Sequence, residues 1–142
     1  MNPNLEAVTI PGSDSSTLMQ LFVAGPTQMR VKRAALGAEG LVLDHLNQQA
    51  AQRYLESTVA PMLRAAPRRI DSIFCDSLEV YSANWTPDFL DAFRRRRGYD
   101  LRPRLPDLFQ ENSPASANLR FDFWRTHAEL TEERFTRGAG QG

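Results

Sequence analysis

Apolar residues fall in short blocks through the first half of the chain and at helical spacing through the second. Leu5 to Ile10, Leu18 to Ala24 and Gln28 to Ala34 read as strands. Pro11 to Ser16 is loop-like, Gly25-Pro26 ends the second strand, and the basic and small residues of the third suit a sheet edge. Leu36 to Gly40 is small and flexible. Leu41-Val42-Leu43 is a short buried-strand signal that ends in Asp44-His45. Asn47 then reads as an N-cap, with Ala51, Tyr54, Leu55, Val59, Met62 and Leu63 following at helical spacing. Pro61 lies inside that pattern and lacks a backbone donor, so it should kink or divide the helix. Ala65 to Arg69 connects to another apolar run, Ile70 to Cys75. Strand, crossover helix, strand implies parallel pairing of Leu41–Leu43 with Ile70–Cys75.

The second half predicts helices. Thr86-Pro87-Asp88 combines a hydroxyl cap, a proline at the first helical position and an acid facing the dipole. Phe89, Leu90 and Phe93 form the apolar stripe, and Gly98 is a natural stop. Leu105 to Phe109 predicts a short helical turn and Glu111 to Ser116 a loop. Ala117 to Arg137 predicts the last helix, with Leu119, Phe123, Leu130 and Phe135 on one side.

Composition narrows the function classes. With 17 basic and 17 acidic residues among 142, nothing draws the chain as a whole to nucleic acid or acidic lipid. Arg94 to Arg97 fan around a helix axis near its C-terminus and read as a solvated helix end, not a nucleic-acid stripe. Glu129, Glu132, Glu133 and Arg134 read likewise as a solvated face. No apolar run is long enough to span a bilayer, and no signal-peptide pattern follows Met1, so localisation stays unassigned. Cys75 is the one cysteine, which excludes an intrachain disulfide and suggests a packed thiol. There is no phosphate-binding glycine loop, zinc-type Cys/His spacing or nucleophile elbow.

Candidate chemistry gathers where the run Ile70–Cys75 ends. Asp76 and Glu79 stand three residues apart at a strand end, where α/β proteins build active sites. A carboxylate pair supports acid/base chemistry of the kind that cleaves glycosides, or binds a hard cation. The competing reading is turn capping by Asp76. Tyr81, Asn84 and Trp85 follow, and aromatic rings beside an amide suit a sugar's C–H faces and hydroxyls. Trp85 could equally anchor the helix start. Asp44 and His45 end the parallel neighbour and would share the same rim; capping and a structural histidine are the alternatives.

Asp76-Ser77-Leu78-Glu79, Asn84-Trp85-Thr86-Pro87, Arg96-Arg97-Gly98-Tyr99-Asp100 and Leu105-Pro106 together resemble the catalytic region of glycoside hydrolase family 106, the α-L-rhamnosidase-like enzymes. Gly37 to His45 resembles the preceding strand of that family, and Asp122-Phe123-Trp124-Arg125-Thr126 a later helix. The resemblance runs from Met29 to Arg137. It implies a (β/α)8 TIM barrel, hydrolysis of terminal α-L-rhamnosides with inversion, and calcium at the site; family members are often exported.

On this resemblance Glu79 is the expected catalytic carboxylate and more specifically the general acid. Asp44, His45, Asp76, Tyr81, Asn84 and Trp85 are the expected substrate-binding residues, and the metal ligands are unassigned. A whole barrel needs about 250 residues. The expectation is therefore an α/β fold of partial-barrel type, with parallel strands and crossover helices over residues 1–137 and a flexible tail at 138–142. Such a piece would lack its second carboxylate, be inactive alone, and self-associate through exposed sheet edges. The partner is an oligosaccharide or glycoside, with no nucleic acid or membrane. The alternative is a non-catalytic α/β module that binds carbohydrate or protein through the same rim.

Overall fold

The computed structural model describes residues 20–68, 72, 78, 80–109 and 114–137. Among them the regular elements are all helical: α1 (Gln48–Tyr54), α2 (Ala60–Ala65), α3 (Phe89–Arg97), α4 (Leu105–Leu108) and α5 (Pro114–Thr131). A π-helical turn, Leu55–Val59, joins α1 to α2; another, Glu132–Thr136, follows α5; and a 3-10 turn, Arg102–Arg104, leads into α4.

The expected partial barrel of parallel strands is overturned. Among the described residues there is no strand and no sheet; extended pairing is limited to one antiparallel bridge between Arg30 and Leu41. Two backbone bonds flank it, Val31 N–H to the Gly40 carbonyl at 3.0 Å and Val42 N–H to the Met29 carbonyl at 2.9 Å. The ladder stops there because the backbone turns on either side of Arg30. Gln28 and Arg33 have positive φ, 58° and 53°, a left-handed conformation that an extended run cannot contain. Leu41–Leu43 therefore folds back on residues 29–31, with no parallel partner of its own among the described residues. The expected strand Leu18–Ala24 has no regular structure over residues 20–24. The expected strands at 5–10 and, Ser72 apart, 70–75 lie outside the described residues.

The helical expectations fare better. Asn47 caps α1, its Oδ1 accepting from the backbone of Gln49 at 3.0 Å and Ala50 at 3.2 Å. Pro61 divides the helix as its missing donor requires, and the break falls in the turn ahead of it. There the Ala60 N–H reaches back five residues to the Leu55 carbonyl before α2 resumes. Gly98 ends α3 at φ 80°, with its N–H on the Arg94 carbonyl at 2.9 Å. The short turn at residues 105–108 is α4. Helix α5 starts earlier than expected, because Pro114 suits a first turn, where its missing N–H is no loss.

The core lies between α3 and α5. Phe89, Ala92 and Phe93 from α3 meet Leu119, Phe123 and Leu130 from α5, with Leu46 and Leu101 closing the ends. Spacings of three and four keep each set on one helix face. Phe89 is the hub: its ring lies 4.9 Å from Phe123 and 5.0 Å from Trp85.

Part of two expected solvated faces forms a polar seam in this packing, while Arg94, Arg95, Glu132 and Glu133 are exposed as expected. Arg97, with a side chain only 8% exposed, donates from Nε to Thr126 Oγ1 at 2.9 Å and pairs with Glu129. Arg96 pairs with Glu133 and lies 3.6 Å from Glu129. Arg134, also 8% exposed, binds Asp88 and the Leu46 carbonyl. Consecutive arginines fan around α3, but α5 lies close enough to collect two of them. Helix α3 alone does not reveal that neighbour.

Candidate functional site

A cleft of about 400 Å³ opens where the arm at residues 24–29, the segment at 41–44 and the loop at 80–87 meet. Three expected site residues, Asp44, Asn84 and Trp85, line it together. Val80 and Ser82 line it as well, on either side of Tyr81. Asp76 and Glu79 lie outside the described residues, as does Cys75. Glu79 immediately precedes Val80 in the chain.

The loop takes its shape from donors and acceptors on several elements. Asp44 accepts the Leu46 N–H on Oδ1 at 3.0 Å and the Thr86 hydroxyl on Oδ2 at 3.1 Å. Thr86 is buried, so this bond satisfies a hydroxyl that would otherwise be desolvated without a partner. Thr86 was expected to cap α3 with its side chain. It supplies its backbone carbonyl to Phe89 N–H instead, at 3.0 Å, and spends its hydroxyl on Asp44.

From the other side, His127 on α5 donates from Nε2 to the Ala83 carbonyl at 2.9 Å, and that acceptor fixes the proton on Nε2. Arg134 grips Asp88, two residues past Thr86. Sequence reasoning assigned neither His127 nor Arg134 a place beside the site. Both lie more than forty residues from the loop they hold, at separations of 44 and 46, so local pattern carried no signal of them.

Each expected binding residue has a definite place. Trp85 is half-buried; it stacks on Phe89 at 29° between planes and also lines the cleft, so it both anchors the helix start and faces the cavity. Asn84 is exposed and on the lining. Tyr81 is 60% exposed and carries Lys32 Nζ 5.0 Å above its ring. His45 is not among the lining residues. Its ring meets Phe135 edge-on at 4.4 Å, and its Nδ1 is buried with no hydrogen-bond partner. Burial lowers its pKa, against the opposing pull of the Asp44 carboxylate.

The calcium expectation bears on Asp76 and Glu79, which lie outside the described residues. Hard cations want six or more oxygens, and among the described residues no three His, Cys, Asp or Glu side chains converge. Asp44 already accepts on both oxygens. No helix among the described residues is long and apolar enough to cross a membrane.

The cleft thus gathers an indole, an amide and a fixed carboxylate in its lining. The chain belongs to glycoside hydrolase family 106: the family model, described as alpha-L-rhamnosidase, matches residues 18–140. It is also 30% identical, over 117 residues, to a putative beta-glucuronidase of Formosa agariphila. That match covers 78% of this chain and 10% of the relative, so the chain spans about a tenth of the relative's length. No solved structure matches it.

Proposed function

We propose that this chain forms part of the sugar-binding site of a glycosidase that removes terminal deoxyhexose or hexuronic residues, α-L-rhamnosides first among them. The observation that carries the reading is the convergence of Asp44, Asn84 and Trp85 on one cleft beside Val80. Trp85 offers an apolar edge to a pyranose ring, and Asn84 offers a donor and an acceptor to its hydroxyls. Asp44 positions the wall through Thr86 and Leu46.

Glu79, the neighbour of Val80, acts in this reading as the general acid that protonates the leaving oxygen. Inverting hydrolysis needs a second carboxylate about 6.5–9.5 Å away to admit water. The cleft's described lining contributes one acid, Asp44, whose oxygens are engaged. In this reading the second carboxylate lies outside the described lining and is supplied by a longer polypeptide, so the 142-residue chain binds sugar without turning it over.

The family description and the relative's name point to different glycones, α-L-rhamnoside and β-glucuronide. Aryl glycosides of each, offered to the longer protein, separate them. Rhamnoside turnover that falls by orders of magnitude in Glu79→Gln, with binding retained, is the expected result. Turnover of neither glycoside, or full turnover in the variant, contradicts the reading. Hydrolysis by the 142-residue chain itself would contradict its dependence on a missing partner.

A further inference from the structure

The arm along the cleft is basic, although the chain as a whole carries equal numbers of acids and bases. Arg30, Lys32 and Arg33 fall within four positions and are exposed, with Glu39 the acid on the same stretch. Backbone pairing sets where this charge lies. Arg30 and Leu41 are directly opposite in an antiparallel bridge flanked by the bonds 31–40 and 42–29, so they form a non-hydrogen-bonded pair. Such a pair brings its two Cβ atoms to about 5 Å on one face. Leu41 lines the cleft, which puts the start of the Arg30 side chain at its edge. Lys32 Nζ lies 5.0 Å over the ring of Tyr81, whose chain neighbours Val80 and Ser82 line the cleft.

We propose that the cleft takes an acidic sugar: a uronic-acid residue of the glycan whose carboxylate is met by Arg30 and Lys32 at the rim, with Arg33 adding charge behind them. The inference rests on the glycosidase reading and names the substrate class. A guanidinium pairs with a carboxylate through two parallel bonds, and an ammonium adds a compact charge beside it. Tyr81 holds the ammonium in position and leaves exposed ring surface beside it. The acid on the cleft wall, Asp44, is turned to donors of its own chain.

The test is calorimetric titration of the purified chain with methyl β-D-glucuronoside, the methyl ester of the same uronoside, and L-rhamnose. The ester keeps the ring and removes only the charge. The glucuronoside is expected to bind roughly fivefold to tenfold more tightly than its ester. That advantage should shrink at about 0.5 M salt, where the Debye length falls to a few ångströms. Arg30→Gln with Lys32→Gln should abolish the advantage, and Lys32→Arg should keep it; exposed positions tolerate both changes, and far-UV circular dichroism verifies the fold. Equal binding of uronoside and ester overturns the inference, as does an advantage that survives the double variant. If L-rhamnose still binds in those cases, the glycosidase reading stands without it. If no sugar binds, both fall.

Discussion

Arg134 and Asp88 form a two-pronged ion pair across the core, Nη1 to Oδ1 at 2.8 Å and Nη2 to Oδ2 at 2.7 Å, and the same Nη1 reaches the Leu46 carbonyl at 2.6 Å. One side chain from the turn after α5 thus ties down the start of α3 and the segment that enters α1. Both tied segments border the cleft, through Thr86 and Asp44.

Replacing Arg134 by Ala should cost about 1–2 kcal/mol, because it strands the Leu46 carbonyl and Asp88 while Asp88 stays half in water. Lys at this position should recover less than half of the loss, since an ammonium cannot make the parallel bonds. Urea denaturation of the three proteins measures both numbers. A Lys variant as stable as the parent would show that charge alone, and not the fork, matters here.

Stability should fall in two stages on the acid side. Burial lowers the His45 pKa, so its contribution is complete above the ordinary value of 6.5 and is lost as pH falls below it. Hydrogen bonding to Arg134 lowers Asp88, and hydrogen bonding to Arg97 lowers Glu129. Their contributions are complete above the ordinary values of 3.8 and 4.5 and are lost as pH drops through the depressed folded values. His45→Phe should flatten the first stage and leave the second. Melting temperature followed from pH 8 to pH 3 reads both; an unchanged first stage in the variant assigns it to another group.

An opposite limb is expected in alkali. Burial, then the bond to Asp122 at 2.8 Å, pushes the Tyr99 hydroxyl up to about 12 from an ordinary 10.0. A raised pKa stabilises the fold fully below 10.0, and that stabilisation drains as pH rises toward 12. Tyr99→Phe should lose stability at pH 8 but decline less steeply between pH 9 and pH 12. A variant that declines in parallel with the parent would remove Tyr99 from the account.

Phe123→Ala should cost about 3–5 kcal/mol, because Phe123 packs against the Phe89 hub in the only aromatic contact across the α3–α5 seam recorded among the described residues. Trp124, its neighbour on the outer face, is 53% exposed, and its change to Ala should cost under about 1 kcal/mol. Chemical denaturation checks the contrast, and comparable losses at both positions would contradict the assignment of the core face.

What was legible in the sequence follows local physics. Asn47 with its two amide donors, Pro61 with its missing donor and Gly98 with its positive φ each act within one helical turn, and each feature stands as read. The strand at 41–43 was misread because Leu41–Leu43 is too short an apolar run to specify its partner. A parallel crossover and a fold-back onto residues 29–31 both supply backbone partners to it, and the turns at Gln28 and Arg33 gave no glycine to announce them. The arginine seam was hidden for a related reason: whether Arg97 and Arg134 face water depends on a helix more than twenty-five residues away. Of the expected site, Asp44, Asn84 and Trp85 meet in one cleft, whereas the ring of His45 packs on Phe135.

The central claim is that the wall carrying Trp85 holds a sugar. The chain has two tryptophans, whose indole N–H signals report on two different places: Trp85 in the cleft and Trp124 on the outer face of α5. Nitrogen–proton correlation spectra recorded while L-rhamnose and methyl β-D-glucuronoside are added should show the Trp85 indole and the Asn84 side-chain amide moving together, with Trp124 unmoved. Movement confined to Trp124, or none at either indole up to sugar concentrations of tens of millimolar, would contradict the account.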